Sequence, residues 1–237
     1  MRKPIIAGNW KLFKNSKEAL ELVTVLKREL CDITKVDIVV CPVFLVIRDV
    51  YEALMESNIG VGAQDVYWED SGAFTGEVSA PLIKDAGAQY VIIGHSERRQ
   101  FFGETNQTVN KKIKAALKHG LTPIVCIGEV LQEREEGKTF DVLNKQCTES
   151  LAGLSTTKCK KSLLLMNRFG RLAQEKPRLL TKPRKRINIF EGFWQNYLIK
   201  KWQMSFVFNT AEALNQIILK NLWRNLIWMG LWSVEPV

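Results

Sequence analysis

Residues 91–105 decide the fold, and they read Val91-Ile-Ile-Gly-His95-Ser-Glu-Arg-Arg-Gln-Phe-Phe-Gly-Glu-Thr105. A short aliphatic run is followed at once by a histidine, a glutamate and two arginines. Such a run is typical of a parallel strand that is buried on both faces. Because α/β proteins place their chemistry at the carboxyl ends of strands, the stretch predicts a strand that ends in an active site. The alternative is a capped strand end that carries a solvated charge cluster.

Strand-like and helix-like segments alternate on both sides of this stretch. The predicted strands are residues 4–9, 37–41, 59–65, 90–94 and 121–128, and the predicted helices are residues 16–30, 46–56, 80–86, 106–118 and 130–154. Alternation at intervals of about thirty residues indicates right-handed β/α crossovers and a parallel sheet. The pattern therefore predicts five β/α units, and it leaves a doubly wound sheet and a closed barrel as alternatives.

The composition restricts the class of protein. The five cysteines are widely spaced and include no Cys-x-x-Cys pair, so we expect neither a disulfide framework nor a metal site. No apolar run reaches the roughly 18 residues of a membrane span, and the amino terminus has no signal-peptide pattern. These features predict a cytoplasmic protein with no membrane partner.

The net charge of +9 is concentrated at one end of the chain. Residues 1–161 contain 22 Lys and Arg against 21 Asp and Glu, whereas residues 162–237 contain 12 against 4. Five of the seven tryptophans lie in this second segment, and the β/α alternation is lost there. We therefore expect a folded α/β unit over residues 1–161 and an irregular or misfolded basic tail over residues 162–237.

The candidate site residues follow two predicted strands. Asn9 and Lys11 follow the first strand, and His95 and Glu97 follow the fourth. Because carboxyl ends of parallel strands share one edge, Lys11 and His95 should lie on the same face, where a lysine can hold an anionic substrate. An exposed solubilising lysine is the alternative. His119 precedes Gly120 at a helix end, so we interpret it as a cap.

Two other features predict packing. Gly60-Val61-Gly62 lies inside a strand and lacks the full glycine fingerprint of a nucleotide-binding turn. Cys126 lies in an apolar stretch with no histidine near it in sequence, which favours a buried packing residue over a nucleophile.

Four motifs resemble the triosephosphate isomerase family over residues 2–161. They are Ala7-Gly-Asn-Trp-Lys11, Gln64-Asp65 with Phe74-Thr75-Gly-Glu77, Gly94-His-Ser-Glu-Arg-Arg99 and Cys126-Ile-Gly-Glu129. The resemblance implies a TIM (β/α)8 barrel, of which residues 1–161 supply about five units. It also implies a homodimer, no cofactor, and interconversion of dihydroxyacetone phosphate and glyceraldehyde 3-phosphate in glycolysis and gluconeogenesis.

The resemblance also implies roles for single residues. Lys11 would neutralise the anionic groups of the phosphorylated triose, and Asn9 would help to orient them. His95 would polarise the carbonyl as a neutral imidazole, as in the family this chain resembles. Ser96 and Glu97 would be supporting residues, with Glu97 fixing Lys11. Thr75 would lie in the loop that reaches into the dimer partner.

The basic tail departs from the family. The family takes its general base from a glutamate in a Tyr-Glu-Pro-Val-Trp segment after the sixth strand, and this sequence has no such segment. Its Tyr-Gly-Gly-Ser and later Gly-Gly phosphate loops are also absent. We therefore expect little or no isomerase turnover. We also expect the outer edge of the fifth strand to be unpaired, because five strands cannot close an eight-stranded barrel.

The genetic code offers an explanation for this departure. One adenine added to the AAA-AAA run that can encode Lys160 and Lys161 allows residues 162–167 to read Ile-Val-Ile-Ala-Tyr-Glu. The glutamate is forced, because the last base of ATG for Met166 and the first two bases of Asn167 make GAA. The same register can yield Tyr-Gly-Gly-Ser and Gly-Gly further on. The hypothesis is that residues 162–237 are translated out of frame.

The alternative function is a nonenzymatic one. A basic tail with several tryptophans could hold nucleic acid through phosphate contacts and base stacking. The tail contains no repeat or recognisable binding module, so the isomerase interpretation is preferred and no nucleic acid partner is expected.

Overall fold

The structure is a computed structural model that describes residue 3, residues 5–155, and the backbone of residues 163–166 and 205–207. Within these ranges, seven parallel strands form one sheet in sequence order. The strands are β1 (Ile5–Asn9), β2 (Asp37–Cys41), β3 (Ile59–Ala63), β4 (Tyr90–Ile93), β5 (Thr122–Ile127), β6 (Leu163–Met166) and β7 (Ser205–Val207). The five strands that the sequence predicts are confirmed.

Helices connect these strands on one side of the sheet. They are α1 (Ser16–Glu29), α2 (Ile47–Ala53), α3 (Ala80–Asp85), α4 (Ser96–Phe101), α5 (Asn106–Lys118), α6 (Leu131–Glu135) and α7 (Thr139–Ser150). The single helix predicted over residues 130–154 is divided into α6 and α7. Gly137 lies between them at a φ of +71°, a left-handed conformation that ends a helix and that glycine adopts without strain.

The sheet continues beyond the five predicted strands. β6 pairs with β5 in parallel, with Leu163 opposite Ile124 and Met166 opposite Ile127, and β7 pairs with β6. The expectation of an unpaired outer edge on β5 is therefore wrong. Leu163–Met166 is a short apolar run of the kind that can complete a parallel ladder. The rest of the basic tail lies outside the described residues.

A small cluster of side chains shows that the sheet is curled. Ile5, Val39 and Cys41 from β1 and β2 pack with Ile92, Ile124 and Cys126 from β4 and β5. The strand between these two pairs, β3, contributes no side chain to the cluster. Neighbouring strands lie about 4.8 Å apart, so side chains from β2 and β4 meet above β3 only if the sheet bends around them.

Glycines on β3 leave the space that this packing needs. A Cβ atom on Gly62 would lie 2.8 Å from Cys41 Sγ, which is too close for any larger residue. Gly60-Val61-Gly62 is thus part of a strand, as the sequence predicts. The larger core lies on the opposite side of the sheet, where α1, α2, α5 and α7 cover it.

The buried thiols give a prediction about chemical labelling. Burial raises the pKa of Cys41, Cys126 and Cys147 to about 12, whereas Cys31 is exposed. Because the thiolate is the reactive form, iodoacetamide at pH 8 should alkylate Cys31 at least about 100-fold faster than these three. Peptide mass spectrometry measures the rates, with the urea-unfolded chain as control. Equal labelling of Cys41 and Cys31 in the folded chain would show that the described core is open.

Candidate active site

The first part of the site follows β1. Lys11 adopts a φ of +52°, a left-handed conformation that is unusual for a residue with a side chain. The Lys11 N–H donates a hydrogen bond of 3.0 Å to Asn9 Oδ1. Trp10 N–H donates to the Cys41 carbonyl at 3.1 Å, which ties this turn to the end of β2. The Asn9 side chain therefore supports the turn that presents Lys11.

The second part of the site follows β4. His95 precedes α4, and its Nδ1 accepts a hydrogen bond of 3.3 Å from the Glu97 N–H. The side chain of His95 is only 14 % exposed. An Nδ1 that accepts a hydrogen bond carries no proton, so the proton of the neutral ring lies on Nε2. His95 Nε2 is therefore a hydrogen-bond donor.

A salt bridge joins the two parts. Glu97 Oε1 lies 2.8 Å from Lys11 Nζ. Both side chains are more than one third exposed, so the pair adds well under about 1 kcal/mol to stability. The salt bridge matters for the geometry of the site, because it holds the Lys11 ammonium beside Glu97, whose backbone N–H donates to His95. The structure thus brings together Asn9, Lys11, His95 and Glu97.

The electrostatic surroundings favour neutral His95. Burial lowers the pKa of His95 below its usual value of 6.5, and the Lys11 cation acts in the same direction. Glu97 and Glu104 act in the opposite direction, and Glu97 Oε2 lies 3.5 Å from Nδ1. That contact is an ion pair only if His95 is protonated. The hydrogen bond from the Glu97 N–H requires an unprotonated Nδ1, so we conclude that the ring is neutral at pH 7.

The tautomer of His95 can be tested directly. We expect histidine ¹⁵N spectra at pH 7 to show His95 as a neutral ring protonated on Nε2, with a titration midpoint below 6.5 because its pKa is lowered. The chain has only two histidines, so His119 supplies the internal reference. A His95 ring that is mostly protonated at pH 7 would contradict this assignment.

A buried charge cluster lies beneath the site. Lys112 Nζ lies 2.7 Å from Asp65 Oδ1 and 2.5 Å from Glu104 Oε1, and Arg98 Nη2 lies 2.9 Å from Asp65 Oδ2. Glu104 Oε2 accepts a hydrogen bond of 3.0 Å from the Gly94 N–H. The residue directly before His95 is therefore held by the carboxylate of Glu104, which Lys112 neutralises.

Sequence reasoning missed this cluster, although one signal for it exists. Lys112 lies on the apolar face of α5 with Val109, Ile113 and Ala116, and all four side chains are buried. A lysine at such a position needs a buried carboxylate as a partner. Nothing in the sequence shows that Asp65 and Glu104 are those partners, because they lie 47 and 8 residues away from it along the chain.

The remaining predicted residues lie at the margin of the site or outside it. Ser96 is the first residue of α4 and is half-buried. Thr75 is exposed in the loop before α3 and forms no hydrogen bond with the four residues above in the described part of the chain. His119 is the C-cap of α5, as predicted, and its Nε2 lies 2.7 Å from Asp70 Oδ1. Cys126 is a buried packing residue, also as predicted.

The described residues contain no group of three or more histidine, cysteine, aspartate or glutamate side chains placed to hold a metal ion. No helix among them has the length and apolarity that crossing a membrane requires.

Comparison with known proteins gives the family of this chain. The family model of triosephosphate isomerase matches residues 4–166, which include both parts of the site and β1 to β6. The chain belongs to the triosephosphate isomerase family. The match ends at the last residue of β6, close to the point where the composition changes.

Relatives within the triosephosphate isomerase family match the same part of the chain. The enzyme of Citrifermentans bemidjiense is 59 % identical over 157 residues, which cover 66 % of this chain and 62 % of that protein. The enzyme of Moorella thermoacetica is 56 % identical over 156 residues, with the same coverage. The chain therefore spans about three fifths of the length of these relatives. The crystal structure of triosephosphate isomerase from Bartonella henselae is similar with a TM-score of 0.73 and 27 % identity, over 86 % of this chain and 81 % of that chain.

Proposed function

We propose that residues 1–161 carry the substrate-binding and electrophilic half of a triosephosphate isomerase site, and that the chain as written has little or no isomerase activity. The observation that carries this proposal is the contact between the Lys11 ammonium and Glu97, next to a neutral His95 that can donate from Nε2. This pair of groups suits a phosphorylated triose, because the cation attracts the anionic substrate and the imidazole donates to its carbonyl.

The reaction itself needs one more group. A base takes a proton from the carbon next to the carbonyl, the carbonyl oxygen gains negative charge as an enediolate forms, and the proton returns to the neighbouring carbon. His95 Nε2–H can stabilise that oxygen, but it cannot also remove the proton. The family's base directly follows its sixth strand. Here β6 ends at Met166, and the next residue is Asn167, whose amide does not accept protons at neutral pH.

The out-of-frame hypothesis is supported by the residues that follow. In the restored register, the codons of residues 167–170 can encode Pro-Val-Trp after the glutamate. If these codons are AAC, CGG, TTT and GGN, their first two bases complete the glutamate codon, and the next nine bases read CCG, GTT and TGG. Together with the tyrosine that the same register can place before the glutamate, these codons can regenerate the complete Tyr-Glu-Pro-Val-Trp segment. We therefore propose that residues 1–161 and 162–237 are two differently encoded segments. Sequencing the gene across the adenine run distinguishes a true deletion from a reading error.

The homodimer is also a proposal, and it is supported by exposed apolar side chains. They follow the first four strands and are Leu12, Phe13, Phe44, Leu45, Phe74, Phe101 and Phe102. Because the carboxyl ends of parallel strands share one edge, these side chains border a single face of the molecule. A face with this many exposed aromatic and leucine side chains is typical of a protein–protein interface, and a second copy of the chain is the proposed partner.

Leu45→Glu tests this interface. Leu45 is 92 % exposed, so the substitution should leave folding intact but should weaken self-association at least about tenfold by placing a charge in the apolar contact. Sedimentation velocity over a concentration series measures the effect. Met55→Glu is the control, because Met55 is 53 % exposed at the opposite end of the sheet. Equal self-association of Leu45→Glu and the unmodified chain would exclude this face.

Two further expectations remain proposals. The cytoplasmic location agrees with four free cysteines among the described residues. The nucleic-acid alternative depends on residues 162–237, which lie almost wholly outside the described part of the chain.

A further inference from the structure

The backbone of Lys11 is held by side chains at both of its polar groups. Its N–H donates to Asn9 Oδ1 at 3.0 Å, and its carbonyl accepts a hydrogen bond of 2.8 Å from Gln64 Nε2. Lys11 is one of only three described non-glycine residues with a positive φ. Since a left-handed conformation is unfavourable for lysine, surrounding contacts must maintain it.

Gln64 also joins the turn to a second strand. Its Nε2 donates to the Cys41 carbonyl at 2.9 Å, in addition to the Lys11 carbonyl. Both acceptors are carbonyl oxygens, so the side-chain nitrogen, which has two hydrogens, must face them. Gln64 follows β3, Cys41 ends β2 and Lys11 follows β1. One amide thus ties together the carboxyl ends of three consecutive strands.

We propose that Gln64 is the positioning residue of Lys11: its amide maintains the left-handed backbone from which the Lys11 ammonium reaches Glu97 beside His95. Lysine has a long flexible side chain, so the backbone direction at Lys11 determines where its charge can lie. The inference rests on the proposed function only in that Lys11 is taken as the substrate-binding cation. The position of the ammonium itself can be measured without any turnover.

A second glutamine provides a matched control. Gln146 on α7 also makes two hydrogen bonds to backbone, since its Oε1 accepts from the Gly128 N–H at 2.8 Å and its Nε2 donates to the Gly128 carbonyl at 2.9 Å. This contact lies after β5 and involves neither Lys11 nor Glu97. Gln64→Met and Gln146→Met each remove two hydrogen bonds and keep the side-chain length, so a purely structural effect should be similar in both.

The test is the titration of His95 in the full chain, followed by NMR. Lys11 lowers the pKa of His95, whereas Glu97 and Glu104 raise it, so displacement of the Lys11 ammonium should move the His95 midpoint upward. We expect this upward shift in Gln64→Met and not in Gln146→Met. An unchanged His95 midpoint in folded Gln64→Met, or an equal shift in Gln146→Met, overturns the proposal.

A second substitution at Gln64 tests the proposal if the first variant does not fold. If Gln64→Met fails to fold, Gln64→Asn decides the matter, because it keeps the amide but is one methylene shorter and cannot reach both carbonyls from the same backbone position. The His95 midpoint must then rise in Gln64→Asn, and an unchanged midpoint overturns the proposal. Because none of these measurements uses an isomerase assay, failure of this inference is distinct from failure of the proposed function.

Discussion

Restoring one adenine to the codons of Lys160 and Lys161 should raise isomerase turnover by at least about 10⁴-fold, since general-base catalysis is worth 10²–10⁴ and oriented donors for the developing charge add a comparable factor. The restored register places a glutamate directly after the strand that Leu163–Met166 now forms. It can also regenerate the two glycine loops. A coupled assay of both chains, purified from a host that lacks its own isomerase, measures the ratio.

The control for this experiment is His95→Ala in the restored gene. It keeps the glutamate and the loops but removes the imidazole Nε2–H donor, so turnover should fall again by about 10²-fold or more. Isomerase activity of the chain as written at the level of the restored chain would contradict the proposed loss of function. A restored chain that is folded and inactive would show that the added adenine does not recover the family's site.

Lys112→Met should destabilise the folded chain by about 3–5 kcal/mol, because it leaves the carboxylates of Asp65 and Glu104 buried without their shared cation. Arg98 remains near Asp65, but it lies 4.0 Å from Glu104. The free energy of unfolding, obtained from urea titrations at pH 7, measures the loss. Lys114→Met is the matched control, since Lys114 is an exposed lysine on the same helix and should change stability by less than about 0.5 kcal/mol.

The pH dependence of this effect has a definite sign. Burial already raises the pKa of Asp65 despite its two cations, and removing Lys112 should raise it further. When the pKa of a carboxyl group is higher in the folded state than in the unfolded state, the group lowers the free energy of unfolding at pH values above the unfolded-state pKa. As the pH falls, the carboxyl group becomes protonated in both states, and this destabilisation disappears. The difference between Lys112→Met and the unmodified chain should therefore shrink towards acid pH. A difference that stays constant from pH 7 to pH 4 would show that the loss arises from packing alone.

Local patterns in the sequence predict the first five strands because each is a short apolar run that ends in polar residues. The edge shared by Lys11 and His95 follows from parallel strand order alone. By contrast, the division between α6 and α7 depends on the conformation of a single residue, Gly137, within a stretch that is helix-like on both sides. β6 was missed because its four apolar residues stand beside a change in composition that obscures the alternation.

The supporting contacts of the site could not be predicted from the sequence. Gln64 and Lys112 act on residues that are 53 and 47 positions away from them, namely Lys11 and Asp65. Which residues these two side chains contact depends on the curvature of the sheet and on how deeply each side chain is buried. Neither property produces a periodic pattern in the sequence. A glutamine that follows a strand could equally well lie in a surface loop.

If residues 162–237 are translated out of frame, as we propose, the pairing of β6 with β5 means that a strand forms despite the change of coding phase. Leucine codons carry thymine as their middle base, and a displacement by one position leaves triplets that still specify mostly small or aliphatic amino acids. Under the out-of-frame proposal, the apolar pattern of this strand is retained, whereas the carboxylate that the family places after it is lost. In a chain of that kind, the hydrophobic pattern persists over a few residues, but the identity of a catalytic side chain changes at once. Damage of this kind is best recognised at the residue that follows a strand.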